Sequence, residues 1–299
     1  MTATRPAAVR GSPFALDDAQ AYAAWRERKL AAHPASVAEL IVELKEPRAP
    51  SATDTEAILE RCRRANLAIY AGPARDAPDR ANVRELGLHF GLRALDHNRG
   101  ADEDAVTSLT VQADALHRGY IPYTNRPIAW HTDGYYNRPD RQIHGLILHC
   151  VQPADEGGEN DLLDHEIVYI LLRDRNPAYV RALSHPQTMT IPANVVEGEE
   201  LRPAQAGPVF SVYPDGHLHM RYTDRKRNIV WRDDPLTLEA VAYLKQLLHR
   251  DSSWHFRARL QAGWGLISNN VLHTRTGFAD REHQRLLYRG RYYDRIRGT

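Results

Sequence analysis

The sequence predicts an α+β fold: a jelly roll, or double-stranded β-helix, built of short strands with flanking helices. Three observations carry that expectation. Beyond His131 the chain breaks into many short β-type runs separated by turn signals. Helical patterns are limited to the first hundred residues and to stretches beginning at His165, Asn176 and Pro235. The best metal-ligand candidates, His131 and His273, lie 142 residues apart, and a jelly roll brings two such distant strands to one mouth.

At 299 residues, 42% hydrophobic and 26% charged, the chain can bury a substantial core, compatible with one elaborated domain or two small ones. We read 1–15 as a flexible N-terminal segment and 16–299 as a single jelly-roll domain whose first part, 16–118, is an α/β flank packed on the core. A formal net charge of +1 gives no reason to expect nucleic acid or an anionic membrane as partner. No apolar segment follows the arginines of Met1 to Ala15 and no run of 18 apolar residues occurs, so a cytoplasmic protein is expected. The two cysteines, Cys62 and Cys150, lack metal-type spacing and read as reduced thiols.

Taken in order, Asp17 or Asp18 caps a helix through Tyr22, Trp25 and Leu30, and Val37 to Leu44 continues as a strand. Pro47 to Pro50 break the chain. A capped start at Thr53-Asp54-Thr55-Glu56 opens a helix through Ile58 and Cys62, followed by the strand Leu67 to Ala71 and a helix across Val83 to Leu92. Asn98 to Asp104 reads as a loop. Strands are expected at Gly145 to Val151, Thr188 to Pro192, Pro208 to Tyr213, His217 to Thr223 and Ile229 to Trp231, with Pro214-Asp215-Gly216 as a hairpin turn. Helices are expected from His165 to Asp174, after the Asn176-Pro177 cap, and from Pro235 to Arg250. Four more strands follow, at His255 to Leu260, Gly265 to Ser268, Val271 to Thr276 and Arg285 to Tyr293.

The chemistry centres on Trp130-His131-Thr132-Asp133-Gly134-Tyr135-Tyr136. On an extended segment side chains alternate faces, so His131 and Asp133 point the same way and can hold one ion. His273, in Asn270-Val271-Leu272-His273-Thr274-Arg275, is the best third ligand. Two His and one carboxylate form the facial triad of non-heme Fe(II) oxygenases, which leaves positions open for co-substrate and dioxygen. The C-terminal strand places Arg285, Arg289 and Arg291 on the same face as Leu287. Buried guanidiniums need anionic partners, and a dicarboxylate is one.

His131-Thr132-Asp133, Gly157-Gly158-Glu159-Asn160, Asn270 to Arg275 and the Arg285/Arg289 pair, in this order, resemble the motifs of the taurine dioxygenase-like (TauD/TfdA) Fe(II)/2-oxoglutarate-dependent dioxygenases. The resemblance covers roughly residues 120 to 295. It implies that His131, Asp133 and His273 ligate Fe(II), that Arg285 pairs with the distal carboxylate of 2-oxoglutarate, and that Arg289 stands near its C1 carboxylate or the primary substrate. Asn160 occupies the place of a Thr that bonds the distal carboxylate in the family; an amide donates the same hydrogen bond. The implied reaction couples oxidative decarboxylation of 2-oxoglutarate to succinate and CO2 with hydroxylation of an unactivated C–H bond. The carboxylate of Asp133 argues against halogenation, which in related enzymes needs a small residue there.

Tyr135, Tyr136, Asn137, Arg221 and Tyr222 are the candidate substrate residues, and the abundance of Arg and Tyr suggests a small polar substrate with an anionic group. The expected partners are that substrate, 2-oxoglutarate and O2, with homo-oligomerisation open. The competing expectation is a non-catalytic or zinc-bound jelly-roll protein that binds a small anion, with His144, His149, His217 and His219 as further metal candidates.

Overall fold

The structure is a computed structural model, and it describes residues 11–75, 79–97, 104–112, 120–196, 198–225 and 229–299. Two compact units share the chain: Pro34–Asp164 with Ser253–Thr299, and Met1–His33 with His165–Ser252. The expected loop Asn98–Asp104 falls, except for Asp104, outside the described residues. So does the segment 1–15 through residue 10, while Phe14 and Ala15 are buried.

The larger unit is built on a six-stranded sheet in the order Ile41–Glu43, Leu67–Ala71, Trp264–Ser268, Gly145–Gln152, Leu286–Tyr292, Thr107–Leu109. Its first two strands are parallel and every other pair is antiparallel. The expected flank 16–118 is therefore woven into the main sheet where its strands are concerned. A second sheet has four antiparallel strands in the order Phe256–Ala258, Asn160–Leu163, Leu272–Arg275, Ile128–His131.

Period-two alternation sorts the six-stranded sheet into two faces. Ala68, Tyr70, Ile147, Ile267 and Tyr288 meet Ile58, Cys62, Val83 and Leu86 of the helices Ala52–Ala65 and Ala81–His89. Leu67, Ile69, Leu146, Leu148, Leu266 and Leu287 share a second apolar layer with Leu162 and Phe256 of the four-stranded sheet. The two sheets thus bury one side of each against the other. The helix Ala52–Ala65 is capped two residues earlier than the Thr53 cap expected from sequence: Ser51 is the N-cap, in a capping box with Asp54. Val37 to Leu44 divides into a 3-10 turn, Val37–Leu40, and the short strand Ile41–Glu43.

In the other unit, Asp18, Asn176 and Asp234 cap the helices Ala19–Ala32, Pro177–Leu183 and Pro235–His249, each accepting from a first-turn N–H. A three-stranded sheet (Gln205–Gly207, Met189–Ile191, Val230–Trp231) and two hairpins complete it, one of them turning at Pro214-Asp215-Gly216 as expected. Among the described residues no helix is long and apolar enough to cross a membrane.

The shared layer has a measurable consequence. Leu266 is 2% exposed, and Leu266→Ala is expected to cost about 2–5 kcal/mol of unfolding free energy in urea titration. A loss below about 1 kcal/mol would contradict an intersheet core.

Candidate active site

The strands Ile128–His131 and Leu272–Arg275 are direct neighbours, and their register sets His131 opposite His273. The two imidazoles lie with ring centroids 4.2 Å apart. Each directs Nδ1 at the carbonyl of the residue two before it, His131 to Ala129 and His273 to Val271, both at 3.0 Å. A carbonyl only accepts, so each Nδ1 carries the proton and each Nε2 keeps its lone pair, the tautomer a metal requires. Burial is the main reason the imidazoles are neutral: it pushes His131 down to about 3, helped by His273, and lowers His273 as well.

Asp133 completes the cluster by a route that differs from the expected one. The strand ends at His131, and Asp133 sits in the turn that follows, where Gly134 adopts φ 68°. A Cβ at Gly134 would fall 2.4 Å from Ile143 Cγ1, so both the conformation and the space call for glycine. The turn, rather than strand alternation, brings Asp133 Oδ1 to 3.7 Å from His131 Nε2. One ligand atom from each of His131, Asp133 and His273 can be chosen so that all three lie within 4.8 Å of one another. Burial alone would raise the Asp133 carboxyl, but the guanidiniums of Arg289 and Arg291 hold it well below the usual carboxylate range. Two neutral imidazoles and one carboxylate are the donor set that suits a divalent iron.

The arginines of the C-terminal strand are all buried, and each has a different environment. Arg289 Nη1 lies 3.4 Å from both Asp133 oxygens. Arg291 donates to Asp96 and, at 2.7 Å, to the Tyr136 hydroxyl. Arg285, 4% exposed, forms no hydrogen bond or ion pair with any described residue; its guanidinium stands 5.0 Å over the Phe278 ring, and burial lowers its pKa. It lines a cleft with Asn160, Gly157, Gly158, Cys150, Leu287 and Arg259. Asn160 donates one amide N–H to Thr274 O at 2.6 Å, which leaves the second N–H for another acceptor. Asp155 accepts from the backbone N–H groups of Arg281, Glu282 and His283, fixing the turn that leads into Arg285.

The candidate substrate residues divide by environment. Tyr135 is buried and packs edge-on against Tyr136, whose hydroxyl receives Arg291. Asn137 donates to Arg141 O at 2.9 Å. In the smaller unit, Arg221 directs its guanidinium to the carbonyls of Met189, Gln205 and Gly207, and Tyr222 donates to Asp224 at 3.4 Å. His149 bonds Tyr70 and Asn82 within the larger unit, His219 packs against Tyr213, and among the described residues neither belongs to a cluster of three metal-ligating residues. Sequence reasoning missed Asp96 and Asn270. Asn270 bonds the main chain of Asp133, and its place three residues before His273 was the available signal; nothing in the sequence ties Asp96 to Arg291.

Two histidines on paired strands and a carboxylate from the turn beside them, inside a two-sheet fold, are the arrangement of the non-heme iron dioxygenases. Residues 28–291 match the family model described as "Taurine catabolism dioxygenase TauD, TfdA family", and the chain belongs to that family. Among curated proteins it is 28% identical over 180 residues to a uridine-5'-phosphate dioxygenase of an Amycolatopsis species, covering 57% of this chain and 62% of that protein. A Streptomyces uridine-5'-phosphate dioxygenase is 29% identical over 201 residues, covering 64% of this chain and 70% of that one. The first of these relatives is thus matched over less than two thirds of its length. Among solved structures, an asparagine oxygenase in complex with Fe(II), 3-hydroxyasparagine and succinate shares the fold at TM-score 0.57 and 16% identity, over 85% of this chain and 93% of that one.

The Arg291 cluster is open to a direct test. Asp96→Ala leaves a guanidinium that is 2% exposed without its buried carboxylate and is expected to cost about 3–5 kcal/mol in chemical denaturation. A change under about 1 kcal/mol would show that Tyr136 and the other surroundings compensate fully.

Proposed function

We propose that this chain is an Fe(II)- and 2-oxoglutarate-dependent dioxygenase that hydroxylates an unactivated C–H bond of a small, polar, anionic substrate, releasing succinate and CO2. The observation that carries the proposal is a buried Arg285, without a hydrogen bond or ion pair to any described residue, in the same unit as the convergent His131/Asp133/His273 cluster. A bound iron with 2-oxoglutarate supplies the oxidant; the protein supplies position and charge. His131 and His273 offer Nε2 and Asp133 its carboxylate as ligands. Arg285 and the free N–H of Asn160 receive the distal carboxylate of 2-oxoglutarate in the cleft closed by Cys150 and Leu287. Arg289, beside Asp133, supplies positive charge where the C1 carboxylate or an anionic substrate group approaches. Tyr135, Tyr136 and Asn137, immediately after the carboxylate ligand, border the substrate side. The two packed sheets of the larger unit support a double-stranded β-helix core. Buried free thiols at Cys62 and Cys150 support a cytoplasmic setting. Both curated relatives act, by name, on uridine-5'-phosphate, which makes a nucleoside monophosphate the first substrate to screen.

The decisive experiment is anaerobic addition of Fe(II) and then 2-oxoglutarate, followed by visible absorption. A charge-transfer band that is absent in His131→Ala is the expected result. No band, with tight zinc binding instead, favours an anion-binding module. Arg285→Gln is expected to raise the KM for 2-oxoglutarate by roughly 10- to 100-fold, the equivalent of one lost charge-assisted contact. An unchanged KM would remove Arg285 from the co-substrate site.

A further inference from the structure

Asn270 is 1% exposed, and all of its amide is engaged around the carboxylate ligand. Its Oδ1 accepts from Asp133 N at 2.8 Å, and its Nδ2 donates to Asp133 O at 2.9 Å and to Ile143 O at 2.7 Å. The amide thus grips residue 133 on both sides of its Cα, as a neighbouring strand would. This matters because the turn has little stiffness of its own: it follows the end of a strand and contains Gly134 at φ 68°. Asn270 itself stands at φ 52°, a left-handed conformation that Asn tolerates better than most side chains, between the strands Trp264–Ser268 and Leu272–Arg275. One residue therefore turns the chain into the strand that carries His273 and holds the turn that carries Asp133. The amide is also neutral. A carboxylate there would set negative charge against two carbonyl oxygens.

We propose that Asn270 is a positioning residue for the metal centre, coupling the strand of His273 to the turn of Asp133 so that the three ligands converge before an ion arrives. The proposal rests on the metal-centre reading above. Pre-organisation of this kind raises metal affinity because the ion does not have to order its own ligands, and residues that support ligands typically contribute 10- to 100-fold in affinity, on the order of other outer-shell partners.

The test uses the full chain and Co(II) alone, titrated anaerobically and followed by its visible d–d bands, with the apo melting temperature measured in parallel. Asn270→Gly accepts the left-handed backbone without strain and removes the amide. Asn270→Asp keeps the size and the acceptor for Asp133 N and loses both donors. Both are expected to bind Co(II) about 10- to 100-fold more weakly than wild type, with altered band intensities, under conditions where the apo proteins are folded. Wild-type affinity in either folded variant would reduce Asn270 to a purely structural amide and overturn the proposal. If wild type does not bind Co(II), or His131→Ala binds it equally well, the metal-centre reading itself has failed.

A second measurement needs no variant. In the wild-type apo protein the Asp133 amide hydrogen is expected to be protected from exchange already, and to slow by no more than about tenfold on adding Co(II). Rapid exchange in the apo protein, slowing by roughly a hundredfold or more with Co(II), would mean that the ion orders the turn, and the proposal would fall.

Discussion

Buried positive charge is the constraint on which the larger unit depends. Arg275, Arg285, Arg289 and Arg291 are all at most 9% exposed, while the carboxylates within reach of the last two are Asp133 and Asp96. Each guanidinium is accommodated in its own way. Arg291 takes a carboxylate and a phenol; Arg275 takes the carbonyls of Ile121, Pro122, Thr124 and Arg126, and burial pulls its pKa down to about 9. Arg289 shares Asp133 with the imidazoles. Arg285 has an aromatic face and a cleft. A dianionic co-substrate is the kind of molecule that such a field attracts.

Much of this was legible in the sequence. Short β-type runs marked the strands at Gly145–Gln152, Trp264–Ser268 and Leu286–Tyr292, which lie in the interior of the six-stranded sheet and are buried on both faces over most of their length. His131 and His273 were legible because both fall in runs that form strands, His131 closing Ile128–His131 and His273 following Leu272 in Leu272–Arg275. Asp133 does lie beside the two histidines, but a turn and not the pleat expected from sequence directs it there.

What escaped reading depends on partners distant in sequence. Asn160–Leu163 starts with two polar residues and has no alternation of its own; it becomes a strand by pairing with Phe256–Ala258 and Leu272–Arg275. Thr107–Leu109 is three residues long and exists as the edge beside the C-terminal strand. Asp96 and Arg291 lie 195 positions apart and no local pattern links them. The N-terminal strands joined the main sheet because Leu67 to Ala71 offer apolar side chains to both faces, so they are stable with a layer on either side.

The order of strands in the six-stranded sheet also constrains how the protein comes into being. Leu286–Tyr292 is an interior strand, flanked by Gly145–Gln152 and Thr107–Leu109, and Trp264–Ser268 bridges Gly145–Gln152 to Leu67–Ala71. The two halves of the sheet meet only through segments made late in synthesis. Folding therefore has to wait for nearly the whole chain, with high contact order and a slow rate, and the strand edges at 107–109 and 145–152 stay open meanwhile. A nascent chain halted before residue 264 would expose apolar β-edges with no intramolecular strand to cover them, so its solubility would rest on chaperones rather than on its own fold.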